Sequence, residues 1–275
     1  ERIDRVDLLL ALDNSSSMGE EQALLVAQFP RLLRNLTSGD SNDDGVQDFS
    51  PAKDVHLGVV SSDMGAGGQT GIDSCDGQGD DGVLQHWPRL PDCPGTFPHF
   101  LTYNVGLNAA LDVAHDFACI GSLGTQGCGF GQPLEAALKA LWPSADSQIT
   151  FLPANDGNGD RGHGDGENAG FLRNDPLMGR SLIAVLVVSD DDDCSSRNPV
   201  HLTPASWLDA NNPDDAALLQ QGPLTRCARN PANLYATMRY VSGLRELRPE
   251  RDDLVLFAAL VGVPPETVSP SVLAA

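Results

Sequence analysis

The sequence has little positive charge and no long apolar run, and each shortage excludes a class of function. Its 275 residues include 17 Lys and Arg against 38 Asp and Glu, a net charge of −21. Such a field repels phosphate backbones, so nucleic acid is excluded as an expected partner. The longest apolar runs, at 8–12, 182–188 and 254–263, fall well short of the roughly 20 residues that span a bilayer. We therefore expect no transmembrane segment, and any lipid anchor would lie outside this sequence.

The motifs of several enzyme classes are also missing. The histidines form no HExxH helix, no GxSxG elbow occurs, and the glycine-rich run at 124–131 lacks the Lys-Ser/Thr of a phosphate-binding loop. One enzymatic alternative is a phosphohydrolase in which Asp13 attacks a phosphoryl group while Asp190 holds Mg²⁺. Ser15 argues against it, because haloacid-dehalogenase-like enzymes carry a second Asp at that position. We expect a binding protein rather than an enzyme.

The six cysteines contain no CxxC pair. An even number of cysteines with this spacing favours disulfides over zinc, and disulfides indicate an extracytoplasmic protein that is secreted, periplasmic or on the cell surface. Six cysteines allow fifteen pairings. The pairings that we expect are the three local ones, Cys75 with Cys93, Cys119 with Cys128, and Cys194 with Cys227.

Apolar runs of strand length alternate with helical periodicity along the chain. The predicted strands are 5–13, 54–63, 181–190 and 252–263, and the predicted helices are 19–36, 105–123, 133–141 and 235–247. This alternation predicts one α/β domain over residues 1–275, with a doubly wound, mainly parallel sheet and helices on both faces. Two loops interrupt it: a disulfide-clipped excursion at 64–100, with at most a short edge strand at 83–87, and a Gly/Asp-rich loop at 154–170.

Oxygen-bearing side chains follow the predicted strands. The first strand ends in Asp13 and continues as Asp-x-Ser-x-Ser through Ser15 and Ser17, directly before a helix. Two hydroxyls on one turn can face the same ion, and hard cations such as Mg²⁺ prefer oxygen ligands. Ligands of doubly wound sheets gather at the carboxyl ends of the strands, so Asp190 is expected beside Asp13. We expect Asp63 to cap a loop. The three carboxylates that directly follow Asp190 are expected to be surface charge: Asp191, Asp192 and Asp193.

This pattern resembles the metal-ion-dependent adhesion site of von Willebrand factor A-type domains, and the resemblance covers most of the chain in the order of its elements. The cysteine-bearing excursion at 64–100 and the run DDDDCSS at 190–196 are similar to secreted or lipid-anchored bacterial surface forms of this domain. The resemblance implies a Rossmann-like fold. It also implies that Ser15 and Ser17 bind Mg²⁺, Mn²⁺ or Ca²⁺ directly, while Asp13 and Asp190 act mainly through water. The expected function is then extracytoplasmic, divalent-cation-dependent adhesion, in which an acidic side chain of a protein partner completes the coordination of the metal.

The same resemblance implies one more ligand, a threonine from a loop that opens a helix. Thr125 in the sequence GTQGC is the best match to this threonine. Gln132 lies nearer to the expected register and is the alternative.

A second cation loop is predicted at 40–48. The residues fit D-x-N-x-D-G-x-x-D, the first nine positions of an EF-hand-like calcium loop, with Pro51 in place of the final Glu. The loop resembles the structural calcium loops of dockerin or thrombospondin type-3 repeats. Its ligands would be Asp40, Asn42, Asp44, the carbonyl of Val46, and Asp48. The alternative for this loop is an ordinary Asp/Asn/Gly turn. The alternative to adhesion, for the protein as a whole, is a calcium-rigidified structural module of a surface protein that binds no partner through a metal.

Overall fold

The computed structural model describes residues 3–75, 77, 79–152, 160–174 and 180–262, apart from the side chain of Leu224. The strands are β1 Arg5–Leu12, β2 Asp54–Ser61, β3 Leu101–Asn104, β4 Leu182–Ser189 and β5 Val255–Val261. The helices are α1 Gly19–Ser38, α2 Ala110–Gly121, α3 Pro133–Leu141, α4 Pro213–Leu219, α5 Arg226–Arg229 and α6 Met238–Glu246. Short 3-10 turns connect β4 to α6 and precede β5. None of the helices in these residues has the length and apolar character needed to cross a membrane.

The strands form one sheet in the order β3-β2-β1-β4-β5. β1 is parallel to β2, with Leu12 opposite Ser61, and parallel to β4, with Leu12 opposite Val188. β4 is parallel to β5, and only β3 runs antiparallel to its neighbour. The predicted mainly parallel α/β sheet is therefore confirmed. The chain leaves β1 toward β2 on one side and later adds β4 on the other, so the carboxyl ends of β1 and β4 lie side by side where the strand order reverses.

Alternate residues of β1 belong to two different hydrophobic clusters, as the period of a strand requires. The first cluster includes Leu8, Leu10 and Leu12 of β1 with Phe29 of α1 and Phe117 of α2. The second includes Leu9 and Ala11 of β1 with Leu138 of α3 and Leu244 of α6. Both faces of β1 are thus covered by helices, which explains why its sequence is a continuous apolar run.

The edge strand lies elsewhere than expected. Residues 83–87 form no strand, although Gln85 N donates to Val59 O at 2.7 Å; the edge strand beside β2 is β3, and β5 forms the other edge. In β3, Leu101 and Tyr103 are buried while Thr102 is exposed, the alternation of a half-buried strand. The side chain of Asn108 accepts from Asn104 N and donates to Thr102 O, which closes a turn after β3. Helix α2 consequently begins at Ala110 and not at residue 105.

Three disulfides are present, but only one of them has the expected pairing. Cys194 bonds to Cys227, as predicted, but the other bonds join Cys75 to Cys128 and Cys93 to Cys119. The local pairings of Cys75 with Cys93 and of Cys119 with Cys128 were wrong. The reason is tertiary: α2 places Cys119 beside Cys93, with a Cα–Cα distance of 5.9 Å. The loop after α2 returns toward the end of β2, where Cys128 N donates to Asp63, and so brings Cys128 to Cys75.

Candidate metal centre

Asp13 occupies the position where β1 ends between its two neighbours. Its backbone N–H donates to Val188 O of β4 at 2.9 Å, and its side chain is fully buried. One carboxylate oxygen accepts from Ser15 N at 2.8 Å and from the Ser62 hydroxyl at 3.2 Å. The other accepts from the Ser189 hydroxyl at 2.6 Å. The carboxyl ends of β1, β2 and β4 therefore converge on this carboxylate.

Two further carboxylates stand beside Asp13. One oxygen each from Asp13, Asp190 and Asp191 lies within 4.8 Å of the others. Within the described residues, no Lys or Arg forms an ion pair with any of the three. Charges about 4 Å apart repel by roughly 4 kcal/mol at an effective dielectric constant of 20. A group of this kind could hold a metal ion, whose charge would offset the repulsion.

The hydroxyls of the Asp-x-Ser-x-Ser turn lie beside this group. Ser15 Oγ and Ser17 Oγ are 3.2 Å apart, and the backbone N–H of Ser15 donates to the Asp13 carboxylate at 2.8 Å. Burial raises the pKa of Asp191, and the charges of Asp13 and Asp190 raise it further. Every atom here that could coordinate a metal is an oxygen. Oxygen ligands suit Mg²⁺ or Ca²⁺ rather than a soft metal. The residues present thus fit a hard divalent cation.

Thr125 lies close to this turn. Its methyl carbon is 3.5 Å from the place that a Cβ on Gly19 would occupy, at the start of α1. The 124–128 loop is also tied to the turn by Gly127 N, which donates to Asn14 O at 2.9 Å. A Cβ on Gly127 would stand 2.1 Å from Asn14 Oδ1, so only glycine permits this approach. The threonine implied by the resemblance is therefore near the turn, and its role as a ligand stays a prediction.

Gln132, the alternative to Thr125, has its side-chain amide engaged elsewhere. Its Nε2 donates to Gly65 O at 3.2 Å, and its Oε1 accepts from Ser196 N at 3.0 Å. The amide thus joins two loops by their backbones. This arrangement favours Thr125 over Gln132 as the residue available to a metal.

The expectation of simple surface charge at 191–193 was wrong for two of the three residues. Asp191 joins the carboxylate group described above. Asp193 is half-buried and accepts from Leu134 N at 3.0 Å and Ser195 N at 2.8 Å, which caps the start of α3. Burial raises the pKa of its carboxyl group. Asp192 is exposed as expected, and Asp63 accepts from Gly65 N and Cys128 N, as a loop cap does.

The 40–48 loop is exposed and organised by its own side chains. Asp40 accepts from the backbone N–H groups of Asp43 and Gly45, both at 2.8 Å, and Asp44 accepts from Val46 N at 2.8 Å. Asp48 accepts from the hydroxyl and N–H of Ser41, which lower its pKa. Among the described residues, the one trio of His, Cys, Asp or Glu ligand atoms within 4.8 Å is Asp13, Asp190 and Asp191. The carboxylates of Asp40, Asp44 and Asp48 do not approach each other so closely, and calcium binding here stays a prediction.

Ser62, Ser189 and Asp191 were missed by the sequence analysis. The hydroxyls of Ser62 and Ser189 donate to Asp13, and both residues lie at the end of a predicted strand. Ser62 follows a Val-Ser dipeptide, and Ser189 is the serine of another Val-Ser dipeptide. A search for hydroxyls at the ends of all the strands would have found them. Asp191 follows Asp190 directly, and only the path of the chain after β4 shows that both carboxylates point to one place.

No protein-family model, curated protein or solved structure matches the chain. What the site can do therefore follows from its own geometry. It combines a buried carboxylate, two less buried carboxylates and two neighbouring hydroxyls at the edge where parallel strands end. Such a set can bind a cation and leave part of its coordination sphere open toward solvent, where Asp190 is exposed.

Proposed function

We propose that the protein is an extracytoplasmic binding domain of the von Willebrand factor A type, which recognises a protein partner through a divalent cation. The observation that carries the proposal is the convergence of Asp13, Asp190 and Asp191 within 4.8 Å, beside the hydroxyls of Ser15 and Ser17. Asp13 follows β1, and the other two carboxylates follow β4, which is far away in the chain. The convergence therefore depends on the fold and not on closeness in sequence.

The architecture supports a doubly wound, Rossmann-like fold. The order β3-β2-β1-β4-β5 reverses beside β1, and hydrophobic clusters with helices lie on both faces of that strand. Ligands of such folds bind outside the carboxyl ends of the strands at this reversal. The Asp-x-Ser-x-Ser turn and the first turn of α1 stand at that point. The three disulfides support an oxidising, extracytoplasmic location.

The chemistry proposed is binding rather than catalysis. Neutral hydroxyls from Ser15, Ser17 and Thr125 would leave the cation electrophilic, so that an Asp or Glu of a partner can complete its coordination. Asp13 is a poor candidate for a nucleophile, since it is fully buried and both of its carboxylate oxygens accept hydrogen bonds. We therefore propose no phosphohydrolase activity.

One observation favours a second candidate, a calcium-rigidified structural module. Asp191 adds a third carboxylate, so the protein's charge at the site, −3, exceeds the +2 of the ion. An ion that is already over-neutralised attracts a partner carboxylate less strongly. In this second candidate the metal holds β1 and β4 together and takes no ligand from a partner.

Binding of Mn²⁺ to the EDTA-stripped protein tests the proposal and separates the two candidates. Electron paramagnetic resonance measures the affinity for Mn²⁺, and water-proton relaxation measures how many exchangeable waters the bound ion keeps. In the adhesion proposal, bound Mn²⁺ keeps exchangeable water, and added acetate, the simplest carboxylate, displaces it. A bound ion whose relaxation ignores acetate supports the structural module, and a protein that binds no Mn²⁺ rejects both.

Adjacent serines supply the matched variants for this experiment. Ser16 and Ser17 are both exposed, but only Ser17 lies within hydrogen-bond distance of Ser15 Oγ. Ser17→Ala is expected to weaken Mn²⁺ binding at least tenfold, whereas Ser16→Ala leaves it unchanged. Equal losses in the two variants would contradict the assigned ligand set.

A further inference from the structure

Gln22 makes an unusual set of contacts beside the candidate metal centre. It lies in the first turns of α1 and is only 5% exposed. Its Nε2 donates to Asp13 O and to Gly124 O, both at 2.9 Å. Its Oε1 accepts from Gly124 N at 3.0 Å. One side chain thus uses both amide protons and its carbonyl oxygen on the backbone of two segments that are more than 100 residues apart in the chain.

The two segments are the ones that carry the predicted ligands. Asp13 begins the Asp-x-Ser-x-Ser turn, and Gly124 directly precedes Thr125. Gly124 has a φ of +77°, a conformation that favours glycine, so the loop turns sharply at the residue that Gln22 holds. A shift of Gly124 would move Thr125 relative to Ser15 and Ser17. Gly127 and Cys128 hold the far end of the loop through Asn14 and the disulfide to Cys75.

We infer that Gln22 is a positioning residue of the metal centre, which sets the distance between the Thr125 hydroxyl and the Asp-x-Ser-x-Ser turn. The inference rests on the proposed function, since it assumes that the turn and Thr125 bind one cation. The hydrogen bonds of the Gln22 side chain go to the backbone of Asp13 and Gly124, so Gln22 acts through the backbone rather than through a predicted ligand side chain. Residues that orient metal ligands in this way change metal affinity by about 10- to 100-fold when replaced.

The test compares Gln22→Met with a matched variant elsewhere. Asn168 is 1% exposed, accepts from Leu84 N at 2.9 Å, and donates to Gly82 O at 3.0 Å and Ala140 O at 3.1 Å. It therefore makes the same three kinds of amide contact as Gln22, but in loops that contribute no predicted ligand. Gln22→Met and Asn168→Leu each keep the side-chain size and remove the amide.

Calorimetric titration of the EDTA-stripped full chain with Mg²⁺ gives the affinities, and thermal unfolding in EDTA gives the metal-free stability. Both variants are expected to lose metal-free stability. Gln22→Met is expected to weaken Mg²⁺ binding at least tenfold, while Asn168→Leu binds as the wild type does. Unchanged affinity in Gln22→Met, or an equal loss in Asn168→Leu, overturns the inference.

A double variant distinguishes positioning from a general structural role. If Gln22 acts through Thr125, then Gln22→Met combined with Thr125→Val binds Mg²⁺ no more weakly than Thr125→Val alone. Additive losses overturn the inference. If the wild type itself binds no Mg²⁺, the proposed function fails and the inference fails with it.

A measurement on the wild type keeps the inference testable if Gln22→Met does not fold. Because Gly124 N–H donates to Gln22 Oε1, Mg²⁺ binding is expected to slow hydrogen exchange in a peptide that covers residues 122–127. Exchange there that is the same in EDTA and in saturating Mg²⁺ overturns the inference.

Discussion

The group around Asp13 and the 40–48 loop contain similar potential ligands, yet they are organised in opposite ways. In the loop, carboxylates at alternate positions accept hydrogen bonds from N–H groups of their own segment and stay exposed. Around Asp13, side chains from the ends of β1, β2 and β4 meet, and three carboxylates stand within 4.8 Å. A local motif can be complete in sequence without bringing its charges together, whereas parallel strands bring together charges that are distant in sequence.

A third acidic region shows what happens where the protein supplies its own cations. Asp81 lies 2.5 Å from the Nζ of the buried Lys139 and 3.1 Å from Nε2 of His163. His163 Nδ1 in turn lies 2.6 Å from Glu167. Here Lys and His side chains compensate the carboxylates, and no metal is needed. The Asp13 group lacks such partners among the described residues, which is why we expect it to respond to a metal.

The largest effect is expected for Asp13→Ala, which would remove the cation response of the centre. A ligand at one hundred times its Kd stabilises the native state by about 2.7 kcal/mol, a rise of several degrees in Tm for a chain of this size. Thermal unfolding in EDTA and in Mg²⁺ should show this rise in the wild type and none in Asp13→Ala. Asp112→Ala, at an exposed carboxylate of α2, should respond like the wild type.

Asp191→Asn is expected to have the next largest effect. It should raise the stability of the metal-free protein but lower the affinity for Ca²⁺. Removing one of the three charges relieves repulsion, so the metal-free protein should become more stable. Ca²⁺ binding should weaken by at least about tenfold, a change of roughly 1.4 kcal/mol, because a nearby anionic oxygen is lost. Calorimetry with Ca²⁺ and denaturation in EDTA measure the two effects. Asp192→Asn is the neighbouring control, and a loss as large in that variant would contradict the role of Asp191.

Asp44→Ala tests the 40–48 loop separately from the group around Asp13. Extracellular calcium modules bind with a Kd of about 10⁻⁴–10⁻³ M, so 1 mM Ca²⁺ would stabilise the protein through this loop by about 0.4–1.4 kcal/mol. Asp44→Ala should abolish this part of the Ca²⁺ response and leave the Mg²⁺ response at Asp13 intact. If Asp44→Ala changes neither response, the loop is an ordinary turn.

The last effect, expected at His163, is similar in size to that of Asp44→Ala and depends on pH rather than metal. Burial lowers the pKa of His163, but hydrogen bonds to Asp81 and Glu167 outweigh it and raise the pKa above its ordinary value of 6.5. The stabilisation is therefore complete below pH 6.5 and is lost as the pH rises through the raised pKa. His163→Gln should destabilise the protein by about 0.5–1.5 kcal/mol more at pH 6 than at pH 8.5.

Urea unfolding in EDTA at the two pH values measures this difference. His115→Gln, at an exposed histidine, is the control. If His163→Gln destabilises the protein equally at both pH values, the proton on His163 does not contribute to stability.

Much of the fold could be predicted because its signals are local. Helix α3 begins at Pro133 and ends at Leu141, as expected, since proline suits the first helical position and the apolar residues that follow pack against the sheet. Strands β1, β2 and β4 lie within the predicted runs, because strands buried on both faces need continuous apolar sequence. The short strand β3 and the disulfides of Cys75 and Cys93 could not be predicted, because each depends on a partner segment distant in sequence.

The sequence by itself determined the alternation of strands and helices, the run of oxygen-bearing side chains in the Asp-x-Ser-x-Ser turn, and the acidic charge. These follow from local propensity and composition. Only the tertiary structure decided which carboxylates meet, because the order of strands places the end of β4 beside the end of β1. It likewise decided that Asp193 caps α3, that Gln132 joins two loops, and that Gln22 spans the two segments of the candidate centre. Long-range hydrogen bonds of this kind have no periodicity in sequence by which they could be read.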